Sequence, residues 1–157
     1  MLAENYKIVP VFFDETDFGA STDTDSIDMS GFHKATFIFN FGTVTTNVTI
    51  TPKSGISEGT STNAVPSQYA AGGAIIGTAV AGSTASCDVL AAWTSTDTTV
   101  SLAAATNKFL VIEIDASAMT QGDDWLTLAV AATSGKGSGV AILTPRYSGN
   151  RSATCLK

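Results

Sequence analysis

Between Lys34 and Thr51 the side chains alternate with a period of two. In the first run, Lys-Ala-Thr-Phe-Ile-Phe-Asn-Phe, the residues Ala35, Phe37, Phe39 and Phe41 share one parity. In the second, Val44, Val48 and Ile50 share one parity, with Thr45, Asn47, Thr49 and Thr51 on the other. Successive side chains of a strand point to opposite faces. The pattern therefore sends one set into a core and the other to water or a partner. Two such runs joined by Phe41-Gly42-Thr43 predict an antiparallel hairpin.

The rest of the chain continues in this style. Tyr6 to Phe13 is a short apolar run interrupted by Pro10, which cannot donate to a ladder. It predicts an edge strand or an extended N-terminal arm over residues 1–13. Asp14 to Ser30, rich in Asp, Thr, Ser and Gly, reads as a loop. Gln68 to Ala71 predicts a short strand, and Cys87 to Thr94 and Thr98 to Leu102 predict two more around a Ser95-Thr96-Asp97 turn. Lys108 to Asp115 is apolar on both faces at its centre, which places it mid-sheet. Ala116 to Gln121 allows one helical turn, and Trp125 to Ala131 and Val140 to Pro145 are the closing strands. Gly72 to Ser83, apolar but made of small residues, fits either a strand between glycines or a loop. The total is about eight to ten short strands with turns roughly every 8–12 residues. The expected class is all-β: an antiparallel sandwich or barrel, with a jelly roll among the options. A length of 157 residues suits one domain, with 146–157 as a C-terminal tail.

Composition narrows the function. A chain of this length buries roughly 70% of its unfolded surface, so it needs neither disulfide nor metal to fold. Ser and Thr make up about a quarter of the residues and charged residues only 14%. The exposed polarity is therefore largely hydroxyl, which suits contact with other proteins. A net charge of −6 argues against a nucleic-acid partner, whose phosphates require a basic patch. The start, Met1 to Pro10, has no cationic segment followed by an apolar core. Cys87 and Cys155 are accordingly expected as free thiols in a protein made in a cytoplasm. No apolar run approaches the ~20 residues of a membrane span, so no membrane contact is expected.

Catalytic equipment is sparse. The single histidine, His33, has no orienting partner in view, and no Gly-x-Ser-x-Gly elbow exists. One His and two distant Cys cannot supply the roughly four ligands of a zinc site. Asp23, Asp25 and Asp28 are spaced so that hard oxygen ligands could hold calcium. The EF-hand frame fails, however, because Ile27, Asp28 and Lys34 fall on its third-ligand, glycine and final-glutamate positions. A solvated turn is the plainer reading. Gly135-Lys136-Gly137-Ser138-Gly139 lacks the Walker spacing and reads as a hairpin turn. Asp123-Asp124 reads as a solvated charge pair in a turn, since adjacent strand residues point to opposite faces. Trp93, Trp125 and Tyr69 would have to line one groove to form a sugar platform; inside strands they more commonly pack in a core. No enzyme activity and no cofactor are expected.

Four segments together resemble the small auxiliary head proteins of tailed bacteriophages. They are Asp28-Met29-Ser30-Gly31-Phe32-His33-Lys34-Ala35-Thr36-Phe37-Ile38, Val111-Ile112-Glu113-Ile114-Asp115-Ala116, Asp124-Trp125-Leu126-Thr127-Leu128 and Leu143-Thr144-Pro145-Arg146-Tyr147. The resemblance implies a virion component without catalytic residues, a cement or decoration protein on the capsid exterior with the major capsid protein as partner. Symmetric capsid positions favour a homotrimer or another homo-oligomer. Phe32, His33, Arg146, Tyr147 and Arg151 are the expected interface residues, and the basic tail is expected to meet an acidic surface. The alternative is a carbohydrate- or receptor-binding β-sandwich of a phage tail or fibre.

Overall fold

The fold is taken from a computed structural model that describes residues 5–17 (without the side chains of 14–16), 19, 22–44, 47–72, 89–103, 105–132, 134–147 and 155. The strands follow in the order β1 (Lys7–Asp17), β2 (Thr22–Asp23), β3 (Ile27–Asp28), β4 (Phe32–Val44), β5 (Val48–Gly55), β6 (Asn63–Ala64), β7 (Ser67–Ala71), β8 (Thr94–Thr96) and β9 (Val100–Leu102). After them come β10 (Phe109–Asp115), a single 3₁₀ turn (Ala116–Ala118), β11 (Trp125–Ala131) and β12 (Gly135–Pro145). The twelve strands among the described residues exceed the expected eight to ten because five of them have only two or three residues. Two six-stranded sheets result, the first in the order β1-β12-β4-β10-β7-β8 and the second in the order β2-β11-β5-β6, with β3 also on β11 and β9 also on β5. Every pairing is antiparallel. The inward residues of both sheets join one hydrophobic cluster, so the sheets pack face to face as a β-sandwich.

The alternation between Lys34 and Thr51 holds, but the hairpin does not. Phe37 and Phe39 of β4 and Val48 and Ile50 of β5 are buried as expected. The two strands nevertheless lie in different sheets. A period of two fixes which side of a strand is apolar. It does not distinguish two strands lying side by side from two facing each other across a core. The same correction applies to β8 and β9, which also fall in different sheets.

The phenylalanines of β4 form a ladder. The rings of Phe37 and Phe39 lie 6.2 Å apart and nearly parallel, and those of Phe39 and Phe41 lie 6.1 Å apart. Phe12 of β1 approaches Phe39 at 6.1 Å with tilted planes. Room for this ladder comes from the glycine run 135–139, which is strand and not the expected turn. Gly139 pairs with Phe39 and Gly137 with Phe41 across β12 and β4. A Cβ placed on Gly139 would sit 2.6 Å from Cδ1 of Phe39, so the ring occupies the space that a side chain would need. An aromatic ring lying over a cross-strand glycine covers the exposed backbone that makes glycine a poor strand former.

Both edges of the first sheet discourage further pairing. β1 takes the edge-strand alternative, and its ladder to β12 carries irregularities after Pro10 and after Phe12. The opposite edge, β8, has three residues. Short, bulged or proline-bearing edges do not template another strand. β10 lies between β4 and β7, mid-sheet as expected. The expected C-terminal tail returns to the body at Cys155, which is buried in the core and whose carbonyl accepts from the Asp28 N–H at 2.9 Å. Its thiol is free, and burial pushes its pKa up. Cys87, residues 73–83 of the glycine-flanked segment and residues 148–154 of the tail lie outside the described residues.

Each neighbouring pair in the first sheet joins a strand from residues 7–71 to one from residues 94–145.

Candidate functional site

The residues singled out for chemistry do not converge. Asp23 and Asp25 are exposed and Asp28 is half-buried. The carboxylate of Asp25 accepts from the Ser26 N–H at 3.1 Å and that of Asp28 from the Ser30 N–H at 2.9 Å, so both cap their own loop. Between the acids, Ile27 and the hydroxyl residues Thr24 and Ser26 are buried. Thr24 Oγ1 accepts from the Leu128 N–H at 2.9 Å, and Ser26 Oγ lies 3.0 Å from Thr127 Oγ1. Among the described residues no three His, Cys, Asp or Glu side chains gather as a metal site.

The expected interface residues divide. Phe32 is a correction: it is buried in the core cluster. The register of β12 against β4 shifts between Thr144 and Pro145, and this irregularity breaks the parity and turns Phe32 inward. His33 beside it is exposed, as are Arg146 and Tyr147. Arg146 is nonetheless tied down. Its backbone N–H donates to the Gly31 carbonyl at 2.9 Å and its Nε to the Phe32 carbonyl at 3.0 Å. Arg151 lies outside the described residues.

Asp123 was expected to be solvated, and the structure corrects this. Its Oδ2 accepts from Ser54 Oγ at 2.7 Å and from Asn63 Nδ2 at 2.9 Å, joining β5 and β6 to the loop before β11. The Asn63 amide first, and the Ser54 hydroxyl second, hold the carboxyl below its ordinary range against the opposing effect of desolvation. The folded pKa lies below the unfolded one, so the tie stabilises the fold above the ordinary carboxylate pKa and is lost as pH falls through the folded value. An NMR titration should place the Asp123 midpoint below 3.8, and Asn63→Ala should move it back toward that value. A midpoint at or above it in the native chain would contradict the arrangement.

Two concavities lined by described residues bear on the sequence reading. One, of about 640 Å³, opens at the end of the first sheet, where Asp17, Asn40, Thr43, Ser134, Lys136 and Ser138 present polar groups around a floor of glycines and Phe41. The other, of about 170 Å³, is an acidic notch with Asp97, Glu113 and Asp115 on its wall. Lys34 already serves that notch, with Nζ 3.0 Å from Glu113 Oε2 and 3.9 Å from Asp115 Oδ1. The Glu113 hydrogen bond raises the Lys34 pKa. The three aromatic candidates form no common platform. Tyr69 packs against the core, Trp93 precedes β8 of the first sheet and Trp125 opens β11 of the second.

The largest feature was not singled out from the sequence. It is the outer face of the first sheet. Cross-strand pairing sets Pro10, Val140, Ile38, Val111 and Ala70 in one row across five strands. Ile8, Ile142, Thr36, Glu113 and Gln68 form the adjacent row. Ile8 is 44% exposed and Val140 38%, while Ile38, Val111 and Ile142 are half-buried. The signal in the sequence is the unbroken apolar stretches Phe37-Ile38-Phe39, Val111-Ile112 and Val140-Ala141-Ile142-Leu143. Strands that read this way belong to sheets covered on both faces.

The chain has no match among protein-family models, curated proteins or solved structures.

The outer face of the second sheet is different in kind. The pairings Thr49–Ala131 and Thr51–Ala129 set hydroxyls and small side chains there, with Lys53 beyond them opposite the buried Thr127. Thr51 Oγ1 lies 3.0 Å from Thr99 Oγ1. The molecule thus presents one apolar sheet face and one hydroxyl-bearing face.

Proposed function

We propose that this chain is a non-enzymatic virion structural protein, a cement or decoration protein that binds the outer surface of a phage head and stabilises it. The observation that carries the reading is the outer face of the first sheet, where Pro10, Val140, Ile38 and Val111, with Ile8 and Ile142 beside them, form an apolar patch turned away from the core. A surface of this kind operates inside an assembly. The side chains with chemical capability support the same reading because they are committed to the fold: Asp123 to Ser54 and Asn63, Glu113 to Lys34, Arg146 to the backbone of β4. The major capsid protein is the partner, and His33, Arg146 and Tyr147 are the exposed candidates of the original interface set.

Co-sedimentation with heads lacking the protein tests this. Saturable binding at a fixed ratio to the major capsid protein is the expected result, and no binding to such heads would sink the proposal. Charge reversal at Arg151 is a cleaner probe of the basic tail than deleting residues 148–157, because deletion would also remove the buried Cys155.

A second reading has its own supporting observation. The 640 Å³ cleft at the end of the first sheet falls in the size range of small-molecule sites and offers amide, carboxylate and hydroxyl groups. It would serve a carbohydrate- or receptor-binding module. Selective binding on a glycan array, lost on Asn40→Ala, would favour it over the cement role.

A further inference from the structure

We propose, resting on the second reading above, that the cleft at the end of the first sheet takes a neutral saccharide. One row of residues at its mouth holds the sugar: Ser138 of β12, Asn40 of β4 and Phe109 of β10.

The register builds the row. Asn40 pairs with Ser138 on one side and with Phe109 on the other. All three fall on the outward parity of their strands, where Asn40 is exposed and Ser138 and Phe109 are half-buried. Directly paired side chains stand about 5 Å apart. The row therefore runs roughly 10 Å across three strands, which a disaccharide covers. Asn40 and Ser138 also line the 640 Å³ cleft, which leaves space beyond the row for further sugar units.

The polar part of the row suits hydroxyl groups. The Asn40 amide and the Ser138 hydroxyl make no hydrogen bond with the described residues. An amide presents a donor and an acceptor side by side, and a hydroxyl serves as either. Neighbouring hydroxyls on a sugar ring call for that combination. Elsewhere such groups are spent on the fold, as the Asn63 amide is on Asp123. The ligand is neutral, because no cationic group belongs to the row. Lys136, farther along β12, already has an interaction of its own, and the Asp17 carboxylate on the cleft wall repels an anionic sugar.

The third member supplies an apolar platform. Gly72 donates its N–H to the Phe109 carbonyl at 2.8 Å, and a Cβ on Gly72 would sit 2.5 Å from Cε1 and 2.6 Å from Cδ1 of Phe109. The ring occupies the space that a side chain at 72 would need, and this seat fixes its orientation. A ring fixed before binding costs little ordering on contact. The C–H face of a pyranose is apolar, and its C–H groups are drawn to the electron-rich face of an aromatic ring. A polar pair beside a seated ring thus serves the hydroxyl edge and the C–H face of one sugar together.

The test applies the full chain to an array of neutral and sialylated oligosaccharides. The neutral glycan bound best is then titrated calorimetrically. Asn40→Ala is expected to raise its dissociation constant roughly tenfold, through the lost amide hydrogen bonds. Phe109→Leu, which keeps an apolar side chain over Gly72, should raise it roughly fivefold, through the lost ring face. Thr51→Ala, on the outer face of the second sheet, should leave it unchanged. In the native chain, where no variant has to fold, nuclear Overhauser effects are expected between the Phe109 ring protons and the sugar C–H protons. Binding lost with Asn40→Ala but indifferent to Phe109→Leu, with no such effects, would overturn the row while leaving the cleft as a saccharide site. A preference for sialylated glycans would overturn the neutral class. Binding to no glycan would remove the second reading and this proposal with it, and the capsid role would still be decided by co-sedimentation.

Discussion

Replacing Phe39 by alanine is expected to lower stability by about 3–5 kcal/mol, the range for removing a fully buried phenylalanine. For a chain of this size that corresponds to a melting temperature lower by roughly 6–20 °C. The upper part of the range is expected for three reasons. Phe39 is completely buried. Its ring contacts three other phenylalanines, Phe12, Phe37 and Phe41. It also lies over Gly139, which has no side chain with which to fill the space. Neighbouring glycine backbone cannot rotate a side chain into the void, so the cavity should persist. Thermal or denaturant unfolding measures the effect, and a loss below about 1 kcal/mol would show that the ladder is not where the core is strongest.

The second large effect comes from filling that space. Gly139→Val places a Cβ 2.6 Å from Cδ1 and 2.7 Å from Cε1 of Phe39, and 3.2 Å from Cγ2 of Val11. The ring is held by its neighbours, so β12 must move or Phe39 must leave its rotamer. Overpacking of this kind costs about 1–3 kcal/mol, and the branched side chain should reach the upper end. The two substitutions are coupled. With Phe39→Ala already present, the valine has room, and its cost should fall sharply or change sign. A double-mutant cycle with an interaction energy above about 1 kcal/mol is expected, and strict additivity would contradict the contact.

The Phe39 side of this contact was legible in the sequence and the Gly139 side was not. β10 was, because its centre is apolar on both parities and it ends on Asp115, a pattern that only a central strand satisfies. β11 was, because Leu126, Leu128 and Val130 alternate cleanly. The parity of β4 and β5 was readable as well, since burial follows a local period. Their placement in opposite sheets was not, because pairing depends on β10, β11 and β12, far along the chain. The strand of glycines was misread for a related reason. Glycine signals a turn until one knows that Phe39 and Phe41 stand opposite. The role of Asp123 was hidden by distance, its partners Ser54 and Asn63 lying 69 and 60 residues away. Phe32 was misplaced because its assignment to an interface took no account of the irregularity at Thr144–Pro145 that turns it inward. The candidate face was partly visible, in strands apolar on both sides, but which of them lie together is a property of the register.

The alternation of the two halves of the chain across the first sheet has a consequence for how this molecule is made. β1, β4 and β7 are synthesised before β8, β10 and β12, yet in the finished sheet each early strand has only late strands as neighbours. In the second sheet β11 likewise takes its described partners from β2, β3 and β5. Of the described ladders, only the short one between β5 and β6 lies within the first 72 residues. A nascent chain of that length has phenylalanines to bury and no sheet in which to bury them. Chains generally fold domain by domain as they emerge, but here the first half must wait in an open state until the second half arrives and slots between its strands. During that interval it can accept the late strands of another copy as readily as its own, so crowded synthesis, rather than any weakness of the finished sandwich, is where this protein is most exposed to misassembly.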